Sequence, residues 1–183
     1  MDKKGIRNLG KLLRKEGTAD GFENAAYAFL SKLTGYRKAS LVMLYLSLPD
    51  EAPTDRLIKM VLSDGKRVCV PVTEGRVITP CEISEGEEFS EGAFSVREPL
   101  VKRAVCKEEI DICVVPGLLF DKRGTRCGYG KGCYDTFLET INPLKVGLAF
   151  SSQVVTAFPS EAHDVKMNYI ITEKEVIDCG EEI

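Results

Sequence analysis

The chain has no tryptophan and a single histidine, His163. A histidine-based metal site needs more than one such ligand, and a Ser-His-Asp arrangement would have to rest on this residue alone. It precedes Asp164 in Pro-Ser-Glu-Ala-His-Asp and reads as a loop hydrogen-bonder. No apolar run approaches a membrane span: the longest, Leu41 to Leu48, is far below the roughly 20 residues a bilayer requires. The first 17 residues are charged throughout and lack the apolar stretch of a signal peptide. A formal net charge of −3 leaves no broad basic surface for nucleic acid. The seven cysteines include no C-x-x-C pair and their number is odd, which argues against a zinc knuckle and against a disulfide scaffold. Several sit in apolar runs, where a free thiol acts as a small core hydrophobe. The expectation is a cytoplasmic protein in a reducing compartment, binding neither membrane nor nucleic acid.

What is present is an ordinary globular balance, 44% hydrophobic and 29% charged, in 183 residues. That length fits one domain, taken as 1–183. Ile6, Leu9, Leu12 and Leu13 recur at helical spacing, which assigns Lys3, Lys4, Arg7, Lys11 and Arg14 to the remaining surface. A second helix carries Phe22, Ala25, Ala26, Phe29, Leu30 and Leu33, with Gly35 as its stop. Ser40 to Ser47 reads as a strand buried on both faces, and Thr54 caps a helix through Leu57, Ile58, Val61 and Leu62. Lys66 to Pro71 is the next strand, completing a parallel βαβ unit. From Thr73 to Pro99 the composition turns to Glu, Gly, Ser and Pro, so surface loops are expected there with strand only at Arg76 to Thr79. Strands at Ile110–Val115, Val146–Phe150 and Tyr169–Thr172, with a helix over Tyr134, Phe137, Leu138 and Ile141, complete the alternation. The fold class is therefore α/β, a three-layer α/β/α open and mostly parallel sheet, with ligands expected beyond the carboxyl ends of its strands.

The segment from Val115 to Asp135 carries the chemistry. It holds Gly124, Gly128, Gly130 and Gly132, interleaved with Lys122, Arg123, Arg126 and Lys131. Glycines let backbone N–H groups converge on an anion, and lysine and arginine add full charges that suit phosphate oxygens. Lys131 is followed by Gly132 instead of Ser or Thr, so this is no Walker A loop, and the spacing of a dinucleotide turn is missing as well. Polyphosphate binding and a plain flexible turn both account for the local composition. Asp135, in the first turn of the next helix, suits magnesium on nucleotide phosphates and equally suits the helix dipole.

Pro116-Gly-Leu-Leu-Phe-Asp121, followed by Gly124-Thr-Arg-Cys-Gly-Tyr-Gly-Lys-Gly-Cys-Tyr-Asp135, resembles the signature of the 5-formyltetrahydrofolate cyclo-ligase family. The likeness extends to Lys3 and Arg7, to Leu46 through Thr54, to Gly65 through Pro71, to Glu98-Pro99, and to Val146–Phe150, Gln153 and Pro159–Asp164. The resemblance implies an ATP-dependent cyclo-ligase that converts 5-formyltetrahydrofolate and ATP into 5,10-methenyltetrahydrofolate, ADP and phosphate. Carried over by position, it implies ATP binding by Lys3, Arg7, Arg126, Gly128, Tyr129, Gly130, Lys131, Gly132, Cys133 and Tyr134, with Arg126 and Lys131 as the catalytic pair. It implies a folate site at Leu46, Glu51, Tyr129, Gly130, Lys131, Gly132 and Cys133, and Mg²⁺ on Asp135 and Asp164. The implied partners are ATP and a reduced folate or similar small molecule, and the expected state is a monomer, with a homodimer as the alternative.

One position departs from the pattern. The family has two tyrosines before the aspartate, whereas the first of them is here Cys133, a thiol with neither an aromatic face nor a phenolic hydroxyl. Cys127 stands where the pattern has leucine. Two further readings follow: an ATP-dependent enzyme of the same fold with a different small substrate, and a non-catalytic nucleotide-binding regulator on the same scaffold.

Overall fold

The apolar runs divide their side chains between two cores, as strands with a period of two must. Val42 and Leu44, Val68 and Val70, Ile112 and Val114, and Val146 and Leu148 pack into one. Leu41 and Met43, Cys69, Cys113 and Val115, and Ile170 pack into the other. The computed structural model describes residues 1–180, and residues 181–183 of the expected 1–183 domain lie outside the described residues. The helices are α1 (Lys3–Arg14), α2 (Phe22–Leu30), α3 (Thr34–Lys38), α4 (Asp55–Ser63) and α5 (Cys133–Glu139). The strands are β1 (Leu41–Met43), β2 (Arg67–Glu74), β3 (Val77–Ile83), β4 (Phe89–Glu91), β5 (Arg97–Pro99), β6 (Arg103–Ala104), β7 (Ile112–Val115), β8 (Leu119–Asp121), β9 (Arg126–Cys127), β10 (Leu144–Leu148), β11 (Val154–Val155), β12 (Tyr169–Ile171) and β13 (Val176–Asp178).

Eight strands form the main sheet in the order β13-β12-β10-β7-β1-β2-β3-β6. The centre from β12 to β2 is parallel, while β13 on one edge and β3 and β6 on the other are antiparallel. Phe22, Ala26 and Leu30 of α2 and Leu57, Ile58 and Val61 of α4 cover the first core. Phe137 and Leu138 of α5 cover the second, together with Phe120 from a small β11-β8-β9 sheet. The expected three layers are thus present, with the small sheet occupying part of the second outer layer.

Three local expectations are corrected. Gly35 does not stop the second helix: α2 ends at Leu30, and Gly35 lies inside α3. A Cβ there would come within 2.7 Å of Leu144 Cδ2, so close packing explains this glycine. Thr54 precedes α4 without capping it, because its hydroxyl donates to Tyr45 O at 2.6 Å. Glu23 of α2 caps instead, with Oε1 accepting from the N–H groups of Arg56 (2.6 Å) and Leu57 (3.2 Å). The polar stretch after Thr73 is more ordered than its composition suggests. β2 and β3 pair continuously from Val68↔Ile83 to Glu74↔Val77, and β4 pairs with β5. Pro71 and Pro80, which cannot donate to a ladder, face one another in it.

Candidate active site

From β1 the chain runs through α4 to β2 on one side of the sheet, and from β7 through α5 to β10 on the other. The strand order therefore reverses between β1 and β7, and such a reversal opens a crevice beyond the carboxyl ends of the two strands. A cleft of about 570 Å³ lies there. It is bordered by Lys3 and Arg7 from α1, Leu46 and Glu51 from the segment after β1, the loop from Arg126 to Asp135, and Asp164. Every residue expected at the ATP, folate and metal sites lines this one cavity.

At one end the walls are cationic and glycine-rich. Gly130 and Gly132 have φ of +104° and +68°, conformations that L side chains rarely adopt. A Cβ on Gly130 would stand 3.0 Å from Arg7 Cζ, so the glycine lets the loop lie against that guanidinium. Arg126 is held on three sides. Its Nη1 donates to Pro116 O (3.0 Å), its Nη2 donates to Asp135 Oδ2 (3.3 Å), and its guanidinium lies 5.5 Å from the Tyr134 ring centroid. Arg126 Nε is buried and has no partner among the described residues. Buried Gln153 fixes the turn after β7 by donating from Nε2 to Gly117 O and Leu118 O, both at 3.0 Å. Lys131 Nζ sits 2.9 Å from the centroid of the Phe94 ring.

The two aspartates expected to hold metal are differently engaged. Asp135 binds Arg126 and accepts from Val165 N through Oδ1 (3.3 Å). Asp164 Oδ2 accepts from Glu161 N (2.7 Å), and its carboxylate clusters with Glu161 and His163 within 4.8 Å. His163 Nε2 lies 3.0 Å from Glu161 Oε2. Asp135 is not part of that cluster. Both carboxylates are hard oxygen donors on the cleft wall, which is what Mg²⁺ takes alongside water and phosphate oxygens.

The other end is enclosed and hydrogen-bonded. Glu51, 8% exposed, accepts from Tyr129 Oη (2.5 Å) through Oε1 and from Leu48 N (2.7 Å) through Oε2. Burial raises the Glu51 pKa above its ordinary value, against the lowering effect of those two hydrogen bonds and of the Arg14 charge. The turn that carries Glu51 is anchored by Tyr45 Oη donating to Ala52 O (2.7 Å) and by the Thr54 hydroxyl. Arg14 is a correction to the sequence reading, which placed it on the solvated face of α1. It is 7% exposed, and it donates to Tyr129 Oη through Nη1 and to Asp50 Oδ2 through Nη2. The buried face of α1 is Ile6, Gly10 and Arg14, while Leu12 is exposed. Gly10 sets that face: a Cβ there would come within 2.7 Å of Leu118 O.

Phe94 and Arg76 also line the cleft and were not anticipated. Arg76 follows Gly75, at φ +62°, in the two-residue turn between β2 and β3. Phe94 gives no sequence signal, standing in a polar loop, and the residue is 58% exposed. Cys133 Sγ points at Gly75 O (3.9 Å), so the small side chain meets the tip of the same hairpin.

The chain is 28% identical to the 5-formyltetrahydrofolate cyclo-ligase of Mus musculus over 153 residues, covering 75% of each protein. It superposes on a solution structure of the Aquifex aeolicus 5,10-methenyltetrahydrofolate synthetase with a TM-score of 0.86 at 30% identity, covering 100% of this chain and 95% of that one. A synthetase of the same kind from Mycoplasma pneumoniae, 21% identical, shares the fold with a TM-score of 0.75 over 94% of this chain and 99% of that one. The model of the 5-formyltetrahydrofolate cyclo-ligase family matches residues 3–173, and the chain belongs to that family.

Proposed function

We propose that the protein joins ATP and 5-formyltetrahydrofolate in this cleft and closes the imidazoline ring of 5,10-methenyltetrahydrofolate, releasing ADP and phosphate. The observation that carries the reading is the convergence of α1, the segment after β1, the Arg126–Asp135 loop and Asp164 on a single cavity. An N-formyl group is a poor electrophile. Transfer of the γ-phosphoryl group to the formyl oxygen turns that oxygen into a leaving group. N10 of the folate then attacks the formyl carbon and gives up its proton, and the C–O bond breaks to expel phosphate. Such chemistry depends on positioning and on neutralising phosphate charge, and it needs no protein nucleophile.

The residues suit these roles. Lys3, Arg7, Arg126, Lys131 and the backbone from Gly128 to Tyr134 form the ATP seat, with Arg126 and Lys131 on the transferring phosphoryl group. The unpartnered Arg126 Nε is a buried donor that a phosphate oxygen would satisfy. Asp135 and Asp164 would hold Mg²⁺, which supplies charge neutralisation to the phosphates. Leu46, Glu51 and the Tyr129–Cys133 stretch form the pterin seat, where the Glu51 carboxylate can accept from the N–H edge of the ring. Phe94 lines the same cleft, and the part of its ring not covered by Lys131 Nζ would supply the aromatic contact that Cys133 withholds. Seven free thiols suit a reducing, cytoplasmic setting. Among the described residues no helix is long and apolar enough to cross a membrane.

The test is turnover by purified protein with 5-formyltetrahydrofolate and Mg·ATP, followed by the near-ultraviolet absorbance of the methenyl product. The band should grow only with nucleotide and metal both present. Nucleotide binding without any methenyl product would assign the scaffold to another substrate.

A further inference from the structure

A cationic side chain buried on the packed face of a helix needs a reason, because an apolar residue would fill that space without a desolvation cost. Arg14 is such a residue: one of its polar partners, the Tyr129 hydroxyl, is on the cleft wall, and the other, the Asp50 carboxylate, belongs to the residue just before the cleft-lining Glu51. The hydroxyl of Tyr129 in turn donates to Glu51 Oε1 (2.5 Å), so Asp50, Arg14, Tyr129 and Glu51 form one continuous chain of contacts. The guanidinium also lies 5.5 Å from the Tyr129 ring centroid. The tyrosine is thereby held by its hydroxyl end, while the residue remains 44% exposed and lines the cavity.

We infer that Arg14 is the positioning residue of the pterin seat: it fixes the Tyr129 hydroxyl and, through it, the direction and charge of the Glu51 carboxylate that receives the folate. The inference rests on the cyclo-ligase reading and adds to it a residue that makes no contact with either substrate. Two consequences separate this role from plain packing. The first is selectivity, since Arg14 touches the folate end of the cleft and not the Lys131 and Arg126 end. The second is electrostatic. Glu51 is faced by Arg14 from α1, by Tyr129 from the glycine loop, by Asp50 from its own turn, by Tyr45 after β1 and by Tyr134 of α5. Arg14 is the one cation of that set. Removing it leaves burial unopposed by a positive charge, so Glu51 would take up its proton at a higher pH.

Steady-state kinetics in each substrate, between pH 4.5 and 8, test the proposal on the wild type, Arg14→Met and Arg14→Lys. Arg14→Met is expected to raise the folate KM about tenfold while leaving kcat and the ATP KM nearly unchanged. The acid limb of kcat/KM for folate should move up by about one pH unit. Arg14→Lys retains the charge without the planar fork, so its acid limb should stay in place while the folate KM rises about threefold. In a Tyr129→Phe background, Arg14→Met should add less than about twofold, because the link to Glu51 is already cut. An unmoved folate KM and limb in Arg14→Met overturns the proposal. So does a parallel loss in kcat and both KM values with the limb in place, which would mark Arg14 as a structural brace. Should Arg14→Met not fold, Arg14→Lys decides alone: a wild-type folate KM overturns the proposal. A wild type without methenyl turnover would defeat the cyclo-ligase reading instead, and that outcome is separate from any variant's.

Discussion

The two ends of the cleft handle charge in opposite ways. At the glycine-loop end, Lys131 reaches the cavity from an exposed position and Lys3 pairs with exposed Glu161. The buried Arg126, though it pairs with Asp135, has an Nε with no partner among the described residues. At the Glu51 end every charge is already engaged: Arg14 with Asp50 and Tyr129, and Glu51 with Tyr129 and Leu48 N. In the first arrangement Arg126 Nε gains its partner when a polyphosphate arrives, and Lys3 can exchange an exposed carboxylate for phosphate. The second is organised before any ligand binds, and a pterin entering it meets a carboxylate already aimed. One end thus supplies electrostatic strength and the other geometric selection, and variants at the two ends should fail differently.

The largest effect is expected at the ATP end. Arg126→Ala should cut kcat about 10³-fold, as the loss of an arginine on a transferring phosphoryl group does. Lys131→Ala should cost about 10²-fold with the melting temperature unchanged, because its side chain rests on an exposed aromatic ring at the cleft rim. Full activity in both would break the phosphate assignment. At the other end, Glu51→Gln keeps shape and removes charge, so the folate KM should rise about tenfold with ATP affinity intact. The pH dependence gives the same residue a second signature. Burial raises the Glu51 pKa, so the ionised form that accepts from a pterin is lost as pH falls through that raised value. The acid limb of folate kcat/KM should therefore lie above the ordinary carboxylate range and vanish in Glu51→Gln. Cys133→Tyr should change folate turnover by less than about threefold, with Phe94 supplying the aromatic wall in either case; total loss would mean that the cavity is built around the small side chain. Thr54→Val, which strips the buried hydroxyl from Tyr45 O, is expected to cost about 1–3 kcal/mol of stability in denaturant melts, with a small effect on kcat.

The same contrast explains what the sequence discloses. The glycine-loop end is written locally: four glycines and four cations within a short stretch between β7 and α5 declare both the conformation and the charge. Lys3 and Arg7, which helical spacing leaves on the surface of α1, are assigned to the site by the family resemblance. The parallel core is equally legible, since Leu41 to Leu46, Val68 to Val72 and Ile112 to Val115 are buried on both faces and contain no charged residue. The Glu51 end is assembled from distant segments, and nothing near Arg14 in the chain announces Tyr129, 115 positions away. Helical periodicity sent Arg14 to solvent because leucines at 9, 12 and 13 outweigh a face made of Ile6, Gly10 and the arginine itself. Gly10 was the available clue, since a mid-helix glycine often marks a close approach. The β2–β3 hairpin was masked in a similar way. Its partners Pro71 and Pro80, and exposed residues such as Glu74 and Val77, obscure an alternation that pairing across the ladder makes plain.

The most direct test of the central claim, that both ends serve one reaction, is the fate of the formyl oxygen. With 5-formyltetrahydrofolate labelled with ¹⁸O in the formyl group, the released phosphate should carry the label, one atom for each methenyl product formed. Unlabelled phosphate, with the label appearing in water, would mean that the phosphoryl group never meets the formyl oxygen and that the two ends of the cleft do not act on each other's ligands.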